Sequence, residues 1–363
     1  MKVLLIGFHY IEPGNRLKLR KLRARGVDLK VLVPRRWRTD LARYRLERSS
    51  EEKDYVICPR ALFKNDATKY FYPRLGSILK KENPDIIHVE EEPWSFITAL
   101  TMRLARKRRA KKIFFTWQNV FRELGSPRRQ FERYTLAQAD LAISGNADGR
   151  EVLLQKGFTG DIEVLPQFGV DLDRFNLRKG ERGVPLSIGF FGRLVEQKGV
   201  LDLLDAVERL ATDARLEYIG DGPLFDELAA RAERSPASVT LTKSVPSEDV
   251  PKKMLEFDCI VLPSKQKGSW KEQFGRVLAE AMALGVNVIG SSSGEIPHVI
   301  GDAGYIFPEN DTDALRDALG RVMVEDLRAR QMAEQGVRRV KERFSMDSIC
   351  DKTVEIYTKV LEQ

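Results

Sequence analysis

Two carboxylates, Glu272 and Glu280, stand eight residues apart in the stretch of sequence that most strongly suggests chemistry, 270–285. Glu272 precedes a predicted helix that begins near Phe274 or Gly275, and Glu280 lies inside this otherwise apolar helix. The start of a helix attracts anions through its free N–H groups and its dipole. A carboxylate in apolar surroundings is costly unless it accepts hydrogen bonds. Hydroxyls of a sugar or a ribose would supply those bonds.

A simpler interpretation of these residues is also open. Arg276 lies four residues before Glu280, so the two side chains can form an ion pair on one face of the helix. Glu272 would then be an ordinary charged residue in a loop. The pattern alone does not decide between a ligand site and a surface ion pair.

Short apolar runs alternate with stretches of helical period, a pattern typical of α/β folds with mostly parallel sheets. The first series of predicted strands is 3–8, 28–33, 54–58, 85–89, 112–116, 140–144 and 162–165. The second series is 186–191, 216–219, 239–242, 258–262, 287–289 and 305–307. Ligands of such sheets bind where strands lead into helices. The loop before the predicted helix at 274–285 is a crossing of this kind.

A polar segment at 167–185 separates the two series and predicts a linker. The chain of 363 residues is long enough for two domains. We predict an N-terminal domain at 1–168 and a C-terminal domain at 169–344. Helices are predicted at 312–324, 327–344 and 346–361, and because no strand follows them, we expect the end of the chain, 345–363, to pack back on the first domain.

Composition excludes several classes of protein. Hydrophobic residues make up 42% and charged residues 31%, which is typical of a globular chain. The three cysteines, Cys58, Cys259 and Cys350, lie far apart and predict neither a zinc site nor a disulfide framework. No apolar run approaches the ~18 residues of a membrane-spanning helix. We therefore expect a cytoplasmic protein in a reducing compartment, with any membrane contact peripheral.

The segment 270–285 resembles the Glu-x7-Glu motif of the retaining glycosyltransferases of family 4, which have the GT-B fold. Three further segments agree with this resemblance in the same order along the chain. The segment 165–171 resembles the linker motif of the family, 189–199 its diphosphate-binding turn, and 288–297 the strand and turn after the Glu-x7-Glu helix. The resemblance implies two Rossmann-like domains with mostly parallel sheets that face a cleft.

The resemblance also implies a nucleotide-diphosphate sugar as donor. Arg193 and Lys198 would neutralise its diphosphate, Glu272 would hold hydroxyls of the donor sugar, and Glu280 those of the ribose. Further donor contacts are expected from Gly192, Val245, Phe274, Gly275 and Val277. The alternative for Arg193 and Lys198 is a surface pair, although a cation at a helix start opposes the dipole.

The first half departs from the family pattern. The first loop holds one glycine, Gly14, where the family has two, and Gln118 stands where the family has a histidine. Glutamine can hydrogen-bond a sugar but cannot exchange a proton near neutral pH. Glu90 is in register with another family histidine and is a candidate for orienting a sugar, although an acidic loop before a helix that begins at Pro93 explains it as well.

The resemblance implies retention at the anomeric carbon and no bound metal or other cofactor, because Lys and Arg take the charge of the leaving group. The expected acceptor is a saccharide or a lipid-linked saccharide in polysaccharide or glycoconjugate assembly. Two alternatives are a sugar phosphorylase or synthase on the same fold and a catalytically inert sugar-binding protein. No nucleic-acid-binding module matches the sequence, and no Gly-x-Gly-x-x-Gly follows a strand.

Charge is distributed unevenly along the chain, whose net charge is +8. Residues 1–175 hold 35 Lys and Arg against 22 Asp and Glu. In the predicted helix at 16–26, Leu19 and Leu22 can face the sheet while the cations face outward. Such a helix could approach an anionic membrane surface, or it could be an ordinary solvated face.

Overall fold

The computed structural model describes residues 1–38, 43–176, 185–210 and 213–363. They form two compact units. The first consists of Met1–Gly169 together with Met346–Gln363, and the second of Val170–Ser345. The predicted linker at 167–185 includes 177–184, which lie outside the described residues.

The first unit is built on a seven-stranded parallel sheet. Its strands are β1 (Lys2–Ile6), β2 (Asp28–Leu32), β5 (Val56–Ile57), β6 (Ile86–Val89), β7 (Lys111–Thr116), β8 (Leu141–Ser144) and β9 (Asp161–Val164). The spatial order is β5-β2-β1-β6-β7-β8-β9. Its helices are α1 (Leu17–Ala24), α2 (Leu75–Glu82), α3 (Phe96–Ala105), α4 (Arg128–Gln138), α5 (Ala147–Gln155) and α13 (Met346–Glu362). The strands β3 (Arg36–Arg38) and β4 (Arg43–Arg45) form a separate antiparallel pair.

The second unit repeats this plan with six parallel strands. They are β10 (Leu186–Phe191), β11 (Ala214–Ile219), β12 (Ser238–Thr242), β13 (Cys259–Leu262), β14 (Asn287–Ser291) and β15 (Tyr305–Phe307). Their order is β12-β11-β10-β13-β14-β15. The helices are α6 (Val200–Glu208), α7 (Phe225–Ala232), α8 (Val250–Met254), α9 (Arg276–Ala283), α10 (Ile296–Ile300), α11 (Thr312–Val324) and α12 (Asp326–Arg339), followed by a π turn at Val340–Phe344. The predicted α/β fold class with two Rossmann-like sheets is confirmed.

The composition of the central strands explains why these sheets are parallel and covered. Val3, Leu4, Leu5 and Ile6 of β1 are all fully buried. A continuous apolar run of this kind fits a strand with both faces covered by helices, whereas a half-exposed strand would alternate polar and apolar residues.

In each sheet the strand order reverses at one point. In the first unit β1 lies beside β6, and the chain proceeds outward from each of them in opposite directions. In the second unit the corresponding neighbours are β10 and β13. Ligands of open α/β sheets bind outside the carboxyl ends of the strands at such a switch point. The segments that follow these four strands are therefore the places to look for a site.

Several predicted elements differ from the structure. The antiparallel pair of β3 and β4 was not predicted, and the helix predicted at 327–344 ends at Arg339. The helix predicted to begin at Pro93 begins at Phe96 instead, because the Ser95 side chain accepts a hydrogen bond from the Thr98 N–H and caps it. Of the three terminal helices only α13 packs in the first unit, against α1, while α11 and α12 pack against α6 and α9 of the second.

The cations of the predicted helix at 16–26 face outward only in part, with Arg20 and Arg23 exposed. Leu19 and Leu22 are fully buried as predicted. However, Lys18 is also buried, and Lys21 and Arg25 form ion pairs with acidic residues of α13. Internal pairing removes much of the positive potential that would attract an anionic surface. None of the helices formed by the described residues combines the length and apolar character needed to cross a membrane.

Candidate functional site

The loop after β10 and the loop after β13 meet in the second unit, and a glycine makes this contact possible. Gly199 has φ +66°, and a Cβ atom at this position would lie 2.0 Å from the carbonyl oxygen of Pro263. Any larger residue would push the two loops apart. The close approach places Lys198, which follows β10, beside Glu272, which follows β13.

Lys198 and Glu272 form an ion pair at this switch point. The Lys198 Nζ lies 2.5 Å from the Glu272 Oε2, and the Ser264 Oγ donates to the same oxygen over 2.7 Å. The ammonium also lies 5.3 Å from the centre of the Trp270 ring. The Lys198 side chain keeps 21% of its surface exposed and that of Glu272 9%. A partly exposed lysine and a largely buried carboxylate therefore lie together at the switch point, where ligands of such sheets bind.

The backbone of Glu272 is held by the turn at 294–297. Gly294 has φ +57°, and a Cβ atom there would lie 1.9 Å from the Glu272 carbonyl oxygen. The Glu295 N–H donates to this same oxygen over 3.2 Å. The turn that the sequence singled out after β14 thus fixes the position of Glu272.

Helix α9 begins directly after this loop. Gly275, with φ +81°, precedes the first helical residue, Arg276. The Arg276 Nε donates to the Glu280 Oε1 over 2.8 Å, so the simple ion pair considered from the sequence is present. Burial raises the pKa of Glu280. No described residue donates to its Oε2, which therefore remains available to a hydroxyl donor.

The other residues expected to contact a donor lie around the same strand ends. Arg193 is exposed after β10 and has no ion-pair partner among the described residues. Phe274 is 8% exposed, with its ring edge-on to Phe344 at a centroid distance of 5.6 Å. Val277 lies half-buried in the first turn of α9. The remaining two are Gly192, directly after β10, and half-buried Val245, after β12.

At the switch point of the first unit, Glu90 is surrounded by donors. The Lys18 Nζ lies 2.5 Å from its Oε1, and the Tyr10 hydroxyl and the Gln167 amide donate to its Oε2 over 2.6 and 3.2 Å. Burial alone would raise the pKa of Glu90, but the charges of Lys18 and His88 and the hydrogen bonds from Lys18 and Tyr10 together lower it to about 2. Both oxygens of this buried carboxylate already accept hydrogen bonds within the unit.

The two neighbouring carboxylates behave differently. Burial raises the pKa of Glu91 to about 8, against donation from the Tyr70 hydroxyl and the Phe8 N–H. Burial also raises the pKa of Glu92 to about 7, against donation from Thr116. Among the residues that the structure describes, a cationic side chain hydrogen-bonds to Glu90 but to neither Glu91 nor Glu92.

Gln118 and Gly14 were the other candidates in this half. The Gln118 Oε1 accepts a hydrogen bond from the Lys156 Nζ at 2.9 Å, and its Nε2 donates to the Val120 carbonyl oxygen at 3.0 Å. Gln118 is 3% exposed. Gly14 lies exposed in a short 3₁₀ turn at Gly14–Arg16, with no neighbour that a Cβ atom would meet.

Four residues with a place in these clusters were not singled out from the sequence: Ser264, Trp270, Lys18 and Gln167. A signal existed for Ser264 and Trp270, since both lie between β13 and α9 close to Glu272. No local signal pointed to Lys18, because its partner Glu90 is 72 residues away. Across the described ranges, no cluster of three or more His, Cys, Asp or Glu side chains could hold a metal ion.

Two family models match the chain on either side of residue 180. The model for glycosyltransferase family 4 matches residues 18–174, and the model for group 1 glycosyl transferases matches residues 185–325. The chain is 30% identical over 216 residues to the alpha-maltose-1-phosphate synthase of Mycolicibacterium smegmatis, covering 55% of this chain and 52% of that protein. It is 27% identical over 295 residues to the sulfoquinovosyl transferase SQD2 of Arabidopsis thaliana, covering 75% of this chain and 56% of that protein.

The chain therefore spans about half the length of the curated relatives it matches. Among solved structures, the Anabaena protein HepE in complex with UDP shares the fold with a TM-score of 0.74 at 17% identity, over 99% of this chain and 100% of that one. The two adjacent family models and the GT-B fold agree with each other. The chain belongs to the group 1 glycosyltransferases of family 4.

Proposed function

We propose that this protein transfers a sugar from a nucleotide-diphosphate sugar to a saccharide or lipid-linked saccharide, with retention at the anomeric carbon and without a bound metal. The observation that carries the proposal is the Lys198–Glu272 pair at the β10–β13 switch point. The donor has a diphosphate joined directly to a sugar, so it needs a cation and a hydrogen-bond acceptor side by side.

In this proposal Lys198 and Arg193 bind the diphosphate and neutralise the charge that develops as the bond to the sugar breaks. A preorganised donor aimed at developing charge typically contributes ~10²–10³-fold to a rate. The start of α9 adds backbone N–H groups and the positive end of its dipole. These positive groups are the reason we propose chemistry without a metal.

Glu272 accepts hydrogen bonds from hydroxyls of the donor sugar, and Glu280 from those of the ribose. Binding of the donor would exchange the Lys198–Glu272 contact for contacts to the two halves of the substrate. The departing phosphate, on the same face as the acceptor, receives the acceptor proton. Retention follows from attack on this face.

Two other functions on this fold give different products. A phosphorylase would take up inorganic phosphate and release no nucleoside diphosphate. A protein that only binds sugars would bind the donor without turnover, an alternative suggested by the altered motifs of the first half. The structural neighbour HepE was solved with UDP, which is consistent with a nucleotide site in a protein of this fold.

The proposal is tested by thermal denaturation with UDP-, GDP-, ADP- and TDP-sugars, followed by detection of nucleoside diphosphate release. A ligand at 100 times its Kd should stabilise the native state by ~2.7 kcal/mol. Glu272→Ala and Lys198→Ala should abolish release while leaving the protein folded. The control is Lys267→Ala. Lys267 is an exposed lysine in the same loop as Glu272 and pairs with Glu196, so its loss should leave activity intact. Wild-type rates in Glu272→Ala would refute the site.

A further inference from the structure

An apolar cavity of about 300 Å³ opens on the first unit. Its walls include four phenylalanines from different parts of the chain. They are Phe63, Phe71, Phe96 and Phe131. The volume lies at the lower end of the range of small-molecule pockets. None of these four residues belongs to the sites described above.

The four rings form a continuous series. The ring centroids of Phe63 and Phe71 are 6.2 Å apart, those of Phe71 and Phe96 5.2 Å, and those of Phe96 and Phe131 5.4 Å. Phe63 leaves 66% of its surface exposed and has φ +48°, a conformation that non-glycine residues rarely adopt. An exposed large apolar side chain and an unfavourable backbone conformation each cost free energy. Unfavourable backbone conformations of this kind cluster at functional sites.

Hydrogen bonds hold the walls of the cavity in place. The backbones of Leu62 and Phe71 exchange two hydrogen bonds of 2.9 and 3.2 Å, which close the loop between them. The Phe96 N–H donates to the Thr68 carbonyl oxygen over 2.9 Å, which ties this loop to the start of α3. The Arg128 Nη2 lies 3.4 Å from the Thr68 Oγ1. The cavity is therefore largely preformed.

The cavity lies at a functional edge of the sheet. Helix α3 follows β6 and α4 follows β7, so the first turns of both helices stand at the carboxyl ends of these strands. Phe96, Arg128 and Phe131 belong to these first turns. This edge of the sheet is also the edge of the β1–β6 switch point.

The charged residues of the cavity wall are both cations. Lys69 pairs with Asp66 at 3.0 Å, and Arg128 has no carboxylate partner among the described residues. An occupant that complements the wall is apolar along the rings and anionic at one end. A neutral apolar compound would leave Arg128 unused, and a free sugar would bury hydroxyls against phenyl rings without partners.

We propose that this cavity binds the first isoprene units of an isoprenoid phosphate that carries the acceptor, with Arg128 and Lys69 contacting the phosphate. This inference rests on the proposed function and names its acceptor class. At ~30 Å³ for each water-sized group, the volume holds about ten heavy atoms, which corresponds to roughly two isoprene units of a single chain. A diacyl lipid would bring two chains to a cavity that holds one.

The test is calorimetric titration of the full chain with short isoprenyl phosphates below their micelle concentration. Each buried methylene contributes about fourfold in affinity. Geranyl phosphate should therefore bind at least ~10-fold tighter than dimethylallyl phosphate, while farnesyl phosphate should gain little more, because its third unit lies outside the cavity. Geraniol, without phosphate, should bind several-fold more weakly, and inorganic phosphate alone should not bind.

Two variants with matched controls locate the binding. Phe63→Asn suits the positive φ and removes an exposed ring, so it should weaken geranyl phosphate binding ~5-fold or more without unfolding the protein. Leu154→Asn replaces another apolar residue of the same unit, which is 45% exposed, and should leave geranyl phosphate binding unchanged. Arg128→Gln should weaken geranyl phosphate binding ~2–5-fold. Arg129→Gln, which changes an exposed neighbouring arginine, should leave this binding unchanged.

Independence from chain length, or equal affinities in Phe63→Asn and Leu154→Asn, would overturn the inference. Tighter binding of dihexanoyl phosphatidic acid than of geranyl phosphate would also overturn it. Donor-dependent release of nucleoside diphosphate is measured in parallel on the same samples. If release occurs with a soluble acceptor while geranyl phosphate does not bind, the isoprenoid site fails and the proposed function stands. Binding of geranyl phosphate without any donor binding would support the site while the proposed function fails.

Discussion

The two switch points of this protein use the same pair of side-chain types in opposite ways. In the first unit Lys18 and Glu90 form a buried ion pair whose side chains are 3% and 0% exposed. In the second, Lys198 and Glu272 form a pair of the same length with 21% and 9% exposure. Tyr10 and other neighbours complete the hydrogen bonding of the first pair within the unit.

The comparison teaches that a lysine and a glutamate at a strand end do not by themselves identify a ligand site. What distinguishes the two places is solvent access, since the Lys198 side chain keeps 21% of its surface exposed and that of Lys18 only 3%. Around Lys198 the exposed Arg193 and the start of α9 add positive groups for a ligand. Around the first pair, Tyr10 and Gln167 donate to Glu90, and the Lys18 Nζ also donates to the Gln167 carbonyl oxygen. We therefore propose that the nucleotide-sugar donor binds to the second unit, and that the Lys18–Glu90 pair has a structural role.

The largest expected effect comes from exchanging each lysine for methionine. Lys18→Met should leave Glu90 buried without its cation and cost ~3–5 kcal/mol in the free energy of unfolding. Lys198→Met should cost ~1–2 kcal/mol, since its pair is part-exposed, but it should reduce transfer at least ~100-fold. Urea denaturation measures the loss of stability, and nucleoside diphosphate release measures the loss of transfer. Equal stability losses in both variants would break the distinction between the two pairs.

The next effect concerns pH and the carboxyl beside Glu90. The pKa of Glu91 is about 8 in the folded protein against an ordinary value of 4.5. Between pH 4.5 and about pH 8, Glu91 is protonated in the native state and ionised in the unfolded state. The free energy of unfolding therefore falls as the pH rises through this range. Glu91→Gln should remove up to ~1.4 kcal/mol per pH unit of this decline.

The measurement is the free energy of unfolding of wild type and Glu91→Gln at pH 5, 6, 7 and 8. The difference between the two proteins should grow in favour of the variant as pH rises. The amide oxygen of glutamine can still accept from Tyr70 and Phe8, which makes the substitution a fair control of shape. A constant difference would show that Glu91 ionises with its ordinary pKa.

A smaller effect is expected at Gln118, which occupies the place of a family histidine. Gln118→Ala removes an acceptor from Lys156 and a donor from the Val120 carbonyl, which should cost ~1 kcal/mol of stability. Transfer should fall less than ~10-fold. Gln138→Ala, which removes an amide that donates to the neighbouring Ala137 carbonyl oxygen, is the matched control. A loss as large as that of Lys198→Met would assign Gln118 to the reaction itself.

The smallest effect separates the ion pair on α9 from the proposed ribose contact. Arg276→Ala removes the exposed cation of an i,i+4 pair and should change stability by only ~0.3–0.5 kcal/mol. Glu280→Ala should raise the KM for the donor several-fold with little change in kcat, because the ribose stays remote from the bond that breaks. If Arg276→Ala raised KM as much as Glu280→Ala, the ion pair would be the functional unit.

Much of the second unit was predictable from the sequence. Strand β10 and helix α11 have the bounds that the periodicity predicts. The singled-out residues Lys198 and Glu272 also lie together, although their ion pair was not predicted. Local patterns were sufficient here because each motif sits on one strand-to-helix crossing. The first unit was harder, since the burial of Lys18 depends on Glu90, Tyr10 and Gln167, which are distant in sequence.

The sequence by itself determined the fold class, the order of the strands along the chain and the family. These follow from hydrophobic periodicity and from motifs a few residues long. Only the tertiary structure decided which charges are buried, which pairs face solvent, and that four distant phenylalanines line one cavity. The physical reason is that the pKa, exposure and pairing of a side chain depend on neighbours brought together by folding, and residues 18 and 90 carry no local sign of their contact.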